Sequence, residues 1–116
     1  MLVNLNEILK IANEKGCAIG SFNTPNMTSL RAVIKGAEEL NQPVIIMHAQ
    51  VHEEMGLCEM DDIAPLMVMY AKNAKVPVCV HLDHGTSLEC IGHALRLGFT
   101  SVMFDGSHLP VEENIR

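Results

Sequence analysis

Two ionisable side chains stand next to each other at the end of an apolar segment. Residues 77–89, PVCVHLDHGTSLE, form an apolar run as far as His81, and Asp83 and His84 then follow one after the other. An imidazole at this point can bind a transition metal, and a neighbouring carboxylate can move protons to a substrate that the metal holds. In a straight strand the two side chains point to opposite faces, but a bend at Gly85 turns both into one cleft.

The same residues also have an interpretation without chemistry. Asp83 and Thr86 are residue types that precede helices, so they can prepare a helix start while His84 is a surface loop residue. Spacing alone does not decide between a site and a helix start. His81 occupies an interior position of the strand, and we predict a hydrogen-bonded core histidine there rather than a metal ligand.

Short apolar segments alternate with amphipathic ones along the chain. The predicted order is a helix over 5–15, strands over 17–23, 43–49, 76–83 and 100–105, helices between them over 24–40, 59–74 and 86–97, and a further helix start at Pro110. Thr86 and Glu89 predict a capping box, and Pro65 is expected in the first turn of its helix, where proline is tolerated. This alternation favours βαβ units and a parallel sheet, so the fold class is α/β.

Polar residues gather at one end of the predicted strands. Asn23, Asp83, His84, Asp105 and His108 all follow carboxyl ends of strands. Parallel α/β folds place their binding and catalytic sites at this end of the sheet. The pattern therefore favours a functional site there.

The composition argues against several classes of function. The chain has 116 residues, of which 48% are hydrophobic and 19% charged, so it suits one folded domain or less. Its net charge of −6 argues against nucleic acid, which favours basic patches. No segment has the ~20 apolar residues of a membrane span or the pattern of a signal peptide, so a cytoplasmic protein without membrane partners is predicted.

Motifs for other chemistries are missing. The four cysteines have no C-x-x-C spacing, so we predict reduced structural cysteines, and no G-x-G-x-x-G follows the first strand. No lysine falls at a strand end, since Lys10, Lys15, Lys35 and Lys72 lie in predicted helices and Lys75 precedes a strand. A carbonyl activated here would need a metal, because an imine needs a buried lysine.

Two longer motifs together resemble a known family. HLDHG at 81–85 is followed at strand spacing by GFTSVMFDGSHLPVEENI at 98–115, and the pair closely resembles the class II, metal-dependent ketose-bisphosphate aldolases. AIGSFNTPNM at 18–27 and PVII at 43–46 match the first and second strands of that family. The resemblance covers the chain without a visible gap, and it implies an enzyme of the aldehyde-lyase class.

The resemblance implies a role for each of four residues. Asp83 stands where the family has its catalytic acid/base, and His84 matches the first of three histidines on the catalytic zinc. Asp105 matches a carboxylate of a second metal position in some members, which allows a second metal or a monovalent cation. Asn23 matches an asparagine near a substrate phosphate. The implied zinc polarises the ketone of dihydroxyacetone phosphate and stabilises the enediolate.

The implied reaction is the reversible cleavage of a ketose bisphosphate to dihydroxyacetone phosphate and glyceraldehyde 3-phosphate. Fructose 1,6-bisphosphate is the substrate expected first. Tagatose 1,6-bisphosphate and the deoxy-keto acid phosphate of inositol catabolism are the alternatives, since relatives with those substrates have similar motifs. Many members carry Ser or Thr after the second strand to contact phosphate, whereas this chain has Ala49 there. His48, Gln50 or His52 could take over that contact.

The resemblance also implies the fold, the N-terminal half of a TIM (β/α)8 barrel with an extra N-terminal helix. The alternative is a flavodoxin-like sheet. A whole barrel needs ~250 residues, so residues 1–116 are expected to be a partial barrel domain with the first four βα units. The remaining zinc ligands are then expected beyond residue 116.

This partial barrel has consequences for the behaviour of the chain. Alone it is expected to self-associate through its open edges and to be inactive, and the whole enzyme is expected to be a homo-oligomer. The interpretations from other classes are a catalytically silent half-barrel that binds a partner and a metal-binding module without chemistry.

Overall fold

A parallel sheet with helices on both of its faces makes up the protein. The computed structural model describes residues 1–115. The strands are β1 (Leu2–Val3), β2 (Ser21–Asn23), β3 (Val44–Ala49), β4 (Val78–Gly85) and β5 (Ser101–Phe104), and the helices are α1 (Leu5–Lys15), α2 (Met27–Leu40), α3 (Val51–Glu54), α4 (Met60–Asn73), α5 (Leu88–Leu97) and α6 (Val111–Asn114). None of these helices is long and apolar enough to cross a membrane, within the part of the chain that the structure describes.

The four longer βα units have their strands in sequential order. β2 pairs with β3, β3 with β4 and β4 with β5, and every pair is parallel. This order confirms the α/β half-barrel prediction, and it excludes the flavodoxin-like alternative, in which the order reverses around the first strand.

An additional short strand shares an edge of the sheet with β5. β1 pairs with the first residues of β4, and β5 pairs with that strand from His81 onward. Thr100 joins these parts, because its hydroxyl accepts a hydrogen bond from Val80 N at 3.1 Å and donates to Val3 O at 2.7 Å. β1 was not predicted from the sequence, since two residues are too few to show an alternating pattern.

The two faces of the sheet carry separate apolar clusters. On the outer face, Val44, Ile46, Val78, Val80 and Leu82 lie in the main core with residues of α2, α4 and α5. On the inner face, a small cluster joins Ile45 and Cys79 to Ile8 of α1. The alternation predicted for β4 is therefore confirmed. Because α1 covers the amino-terminal end of the inner face, polar side chains can gather at the carboxyl-terminal end.

Helix boundaries agree with the sequence pattern at most ends. α1 has the predicted bounds, begins with a capping box between Asn4 and Glu7, and ends at Gly16 in the left-handed conformation. α5 ends at Gly98, as predicted, also in a left-handed conformation. These ends are predictable because their signals lie within one turn of the boundary.

Two local predictions are wrong. The capping box over Thr86 and Glu89 does not form, because Ser87 is the N-cap of α5 and its hydroxyl accepts from Cys90 N at 3.1 Å. Pro65 lies inside α4 and not in its first turn. Proline removes the hydrogen bond to the carbonyl four residues earlier, and both Pro65 and Asp61 are exposed.

Two segments also differ in extent. The strand predicted over 17–23 is confined to β2, the last three residues, and α3 follows β3 where no helix was predicted. A four-residue helix is shorter than the window in which helical periodicity can be recognised.

Candidate functional site

The carboxyl ends of β4 and β5 bring the predicted site residues together. Asp83 is in register with Ala49 of β3, and it lies on the same face of β4 as the inward-facing Cys79. Its side chain is 23% exposed. A carboxylate in this position is fixed by the sheet and still reachable by a substrate.

The chain bends at His84 and not at Gly85. His84 has φ +50° in the left-handed region, and Gly85 does not have a positive φ. A non-glycine residue in this region costs ~1–2 kcal/mol, although histidine occurs there more often than most residues. The prediction that Gly85 provides the bend is therefore wrong, but the outcome is the predicted one: His84 turns toward the same side as Asp83.

Gly85 is required for close packing. A Cβ atom on Gly85 would lie 2.8 Å from Leu82 Cδ2 and 3.1 Å from Met103 O. The absence of a side chain thus lets the end of β4 approach β5, where Asp105 N donates to Gly85 O at 2.9 Å.

His84 forms a short hydrogen bond to Asp105. The distance from His84 Nδ1 to Asp105 Oδ2 is 2.7 Å, and His84 Nε2 lies 3.8 Å from Asp83 Oδ1. The hydrogen bond to Asp105 raises the pKa of His84, and the charge of Asp83 contributes in the same direction. Because the Asp105 carboxylate accepts, Nδ1 carries the proton and, in the neutral ring, Nε2 has the free lone pair.

Asp105 is held in turn by the loop that follows it. Ser107 N donates to Asp105 Oδ1 at 3.0 Å. Hydrogen bonds from Ser107 and from His84 hold the pKa of Asp105 well below its usual range. Asn114 Nδ2 donates to Gly106 O at 2.6 Å and to Leu109 O at 3.3 Å, which ties this loop to α6. Asp105 is thus an anchored, ionised acceptor.

The arrangement fits one ligand of a metal site. A histidine that binds a metal through one ring nitrogen usually donates the other N–H to a carboxylate, which fixes the orientation of the ring. His84 and Asp105 have this relation, and it leaves Nε2 as the nitrogen that could bind a metal. Within residues 1–115, no group of three or more His, Cys, Asp or Glu side chains is arranged to hold a metal ion. These residues could therefore provide only part of a metal site.

Asn23 lies on the same face but apart from this cluster. It is in register with Met47 of β3, which is in turn in register with His81 of β4. Asn23 is exposed, and no hydrogen bond of the described residues joins it to Asp83, His84 or Asp105. One strand, β3, lies between it and the strand of Asp83.

His81 is a hydrogen-bonded interior residue, as predicted. Its Nδ1 lies 2.7 Å from Ser101 Oγ of the neighbouring strand. Burial lowers the pKa of His81. It lies two residues before Asp83 on the same face of β4.

Of the three residues at the end of β3 and just after it that could contact a phosphate, two point elsewhere. His48 is completely buried, and its neighbours Val44 and Ile46 at alternate positions lie in the outer core. His52 is also buried, and its Nδ1 accepts from Ala49 N at 3.2 Å. Neither histidine can therefore replace the missing Ser or Thr, and Gln50 is the remaining candidate.

The side chain of Gln50 reaches the loop that carries His84. Its Oε1 accepts hydrogen bonds from both Thr86 N and Thr86 Oγ1, each at 2.9 Å. Thr86 was predicted to belong to a helix cap, and this contact was not predicted. No local signal could have revealed it, because the two residues are 36 positions apart.

The other ionisable groups agree with the sequence analysis. Cys17, Cys58, Cys79 and Cys90 are all free, and Cys79 is completely buried. Every lysine is exposed. Among the residues described, there is thus no buried lysine that could form an imine.

Comparison with known proteins agrees with this fold. The model of the family described as fructose-bisphosphate aldolase class-II matches residues 3–116. A fructose-bisphosphate aldolase from Thermus caldophilus is 44% identical over the whole chain, and a probable fructose-bisphosphate aldolase from Bacillus subtilis is 41% identical over 98% of it. The crystal structure of the YdjI aldolase from Escherichia coli K12 is 40% identical over the whole chain, with a TM-score of 0.91.

The chain belongs to the class II fructose-bisphosphate aldolase family. It spans 37% and 40% of the length of the two curated relatives and 44% of the YdjI chain.

Proposed function

We propose that this chain supplies the acid/base residue and one metal ligand of a metal-dependent aldolase. The reaction is the reversible cleavage of fructose 1,6-bisphosphate to dihydroxyacetone phosphate and glyceraldehyde 3-phosphate. The observation that supports it most directly is the cluster at the ends of β4 and β5. In this cluster, His84 Nε2, the ring nitrogen that is not hydrogen-bonded to Asp105, lies 3.8 Å from the carboxylate of Asp83.

Asp83 acts as the acid/base. In the cleavage direction its carboxylate takes the proton of the hydroxyl on the carbon that becomes the aldehyde, while the adjacent carbon–carbon bond breaks. In the condensation direction the same group returns that proton to the aldehyde oxygen. A carboxylate suits both directions because it can accept and donate one proton at a fixed atom. The partial exposure of Asp83 keeps it within reach of a substrate.

His84 is the proposed zinc ligand, and Asp105 sets the orientation of its ring. Bound zinc would act as a Lewis acid on the ketone carbonyl of the substrate. The hydrogen bond at 2.7 Å holds the proton of His84 on Nδ1, so that Nε2 is available to the metal. The direct use of Asp105 by a second metal or a monovalent cation remains a prediction. Any such ion would compete with His84 and Ser107 for the same carboxylate.

Asn23 is the proposed contact for one substrate phosphate. It projects from the inner face two strands away from Asp83. A ketose bisphosphate has phosphates at both ends, so a phosphate contact at a distance from the reacting bond is expected. The amide of Asn23 can donate hydrogen bonds to phosphate oxygens.

An assay on the whole protein that contains this chain tests the proposal. Purified protein is offered fructose 1,6-bisphosphate, and the release of dihydroxyacetone phosphate is followed by a coupled reduction. We expect turnover that a strong chelator abolishes and added zinc restores. Borohydride in the presence of substrate should leave the protein unmodified, because no imine forms.

Three results would contradict the proposal. Turnover that survives complete metal removal would exclude the metal mechanism, and a borohydride-trapped adduct would indicate an imine. Zinc binding without turnover on any ketose bisphosphate would favour a metal-binding module or a silent barrel. Faster turnover of tagatose 1,6-bisphosphate or of a deoxy-keto acid phosphate would keep the mechanism and change the substrate.

A further inference from the structure

Hydrogen bonding between the β3 and β4 segments continues past the end of the sheet, into the loops that follow the two strands. Ala49 and Asp83 are the last residues of these strands in register. Beyond them, Gln50 Oε1 accepts from Thr86 N and from Thr86 Oγ1, both at 2.9 Å. One side chain from the β3 loop therefore holds a backbone atom of the β4 loop.

The orientation of the Gln50 amide follows from its partner. A backbone N–H can only donate, so the atom that faces Thr86 N must be the amide oxygen. The hydroxyl of Thr86 then donates to the same oxygen. Gln50 is half-buried, and its function in this contact is that of an acceptor only.

This contact and Asp105 hold the His84 segment from opposite sides. On the β5 side, Asp105 N donates to Gly85 O at 2.9 Å, and Asp105 Oδ2 binds His84 Nδ1. On the β3 side, Gln50 holds Thr86. His84 lies between these two contacts in a left-handed conformation that is unfavourable for a residue with a side chain. A segment in such a conformation needs support from its surroundings.

We propose that Gln50 is a positioning residue for His84. By accepting both hydrogen bonds from Thr86, it fixes the end of the turn that directs the imidazole toward Asp83 and Asp105. The inference rests on the proposed function in one respect, because it takes His84 as a metal ligand. Gln50 itself is not proposed to touch the metal or the reacting atoms.

The test compares variants of the whole protein in their zinc affinity, measured by competition with a chromophoric chelator. Gln50→Leu retains the approximate shape and removes the acceptor, and we expect weaker zinc binding, by less than the ~10–100-fold that the loss of a direct hydrogen-bond partner of a ligand costs, because Gln50 acts on His84 through Thr86. Gln50→Glu retains an acceptor oxygen and should bind zinc at least as tightly as the wild type. Gln42→Leu is the matched control, since Gln42 is exposed at the other end of β3.

A second pair of variants acts on the partner of the contact. Thr86→Ser keeps both donors and should behave as the wild type does. Thr86→Val keeps the backbone donor and loses the hydroxyl, so its loss of zinc affinity should be smaller than that of Gln50→Leu. This pair tests the contact even if a Gln50 variant does not fold.

Two readouts separate positioning from direct substrate contact. In the metal-free protein, hydrogen exchange at the Thr86 amide should be faster in Gln50→Leu than in the wild type. In the loaded enzyme, kcat should fall with little change in KM. A raised KM with unchanged zinc affinity, or a Gln50→Glu variant as impaired as Gln50→Leu, would show instead that the amide of Gln50 contacts substrate.

The outcomes distinguish this inference from the proposed function. A wild-type protein that binds no zinc and cleaves no ketose bisphosphate overturns the proposed function and the positioning role with it. A wild-type enzyme that binds zinc and turns over, together with Gln50→Leu of equal zinc affinity, overturns the positioning role alone.

Discussion

The imidazole of His84 donates a hydrogen bond of 2.7 Å to the carboxylate of Asp105, a residue 21 positions later that directly follows the next strand, β5. This contact fixes the tautomer of His84 and leaves the lone pair of Nε2 free. It also connects the two motifs that resemble the aldolase family, HLDHG and FDGSH, in a single unit.

The first prediction concerns this contact. Asp105→Asn in the whole protein should weaken zinc binding by ~10–100-fold, because an amide is a poorer acceptor for the imidazole N–H and can present its NH2 group instead. Zinc affinity by chelator competition is the measurement. Asp62→Asn, on the exposed side of α4, is the control, and an Asp105→Asn protein with unchanged affinity would contradict the orienting role.

The second prediction separates proton transfer from metal binding. Asp83→Asn should retain zinc and lose ~10²–10⁴-fold in kcat, the usual contribution of a general acid/base group. His84→Ala should lose both zinc and turnover, because it removes a ligand. Metal content and kcat are measured on the same preparations. Full turnover in Asp83→Asn, or equal zinc content in His84→Ala and wild type, would refute the corresponding assignment.

The third prediction concerns two glycines with opposite surroundings. Gly85→Ala should destabilise the protein by ~1–3 kcal/mol, since the added Cβ meets Leu82 and the backbone of Met103 and the chain must shift. Gly36→Ala should stabilise it by up to ~1 kcal/mol, because Gly36 lies within α2 and a Cβ there has nothing within 4 Å. Thermal unfolding gives both values, and the same sign for the two would contradict the packing argument.

The fourth prediction concerns pH and the buried His48. Burial lowers the pKa of His48, an effect that Glu53 partly opposes with its Oε1 3.6 Å from Nε2. Neither ring nitrogen has a hydrogen-bond partner among the described residues. Because the folded-state pKa lies below the unfolded value, the unfolded chain binds more protons. Stability is therefore lost as the pH falls through about 6.5, at no more than ~1.4 kcal/mol per pH unit.

Comparison of the wild type with His48→Leu isolates this effect. The free energy of unfolding of the metal-free protein is measured in urea between about pH 7.5 and about pH 5.5. The decrease toward low pH should be smaller in His48→Leu. His108→Leu, at an exposed loop position, should retain the wild-type dependence. An unchanged pH dependence in His48→Leu would mean that His48 does not resist protonation in the folded state.

Much of the fold could be predicted because its signals are local. Gly16 and Gly98 end their helices through their own left-handed conformation. The alternation of Val78, Cys79 and Val80 assigned each side chain to the correct face. The start of α5 was predicted wrongly because a residue far along the chain competes there for the same hydroxyl. Thr86 is a residue type that can cap a helix, but its hydroxyl donates a hydrogen bond to Gln50. Ser87 is the N-cap of α5 instead.

By itself, the sequence determined the parallel α/β elements, the face on which Asp83 lies, and the resemblance of two motifs to an aldolase family. Only the tertiary structure decided that His84 provides the bend, that Asp105 holds its ring, and that His48 and His52 are buried away from the site. The physical reason is that spacing reports which face a residue occupies within its own element. Contacts over 21 and 36 positions depend on the register of neighbouring strands and on how closely glycine lets them approach.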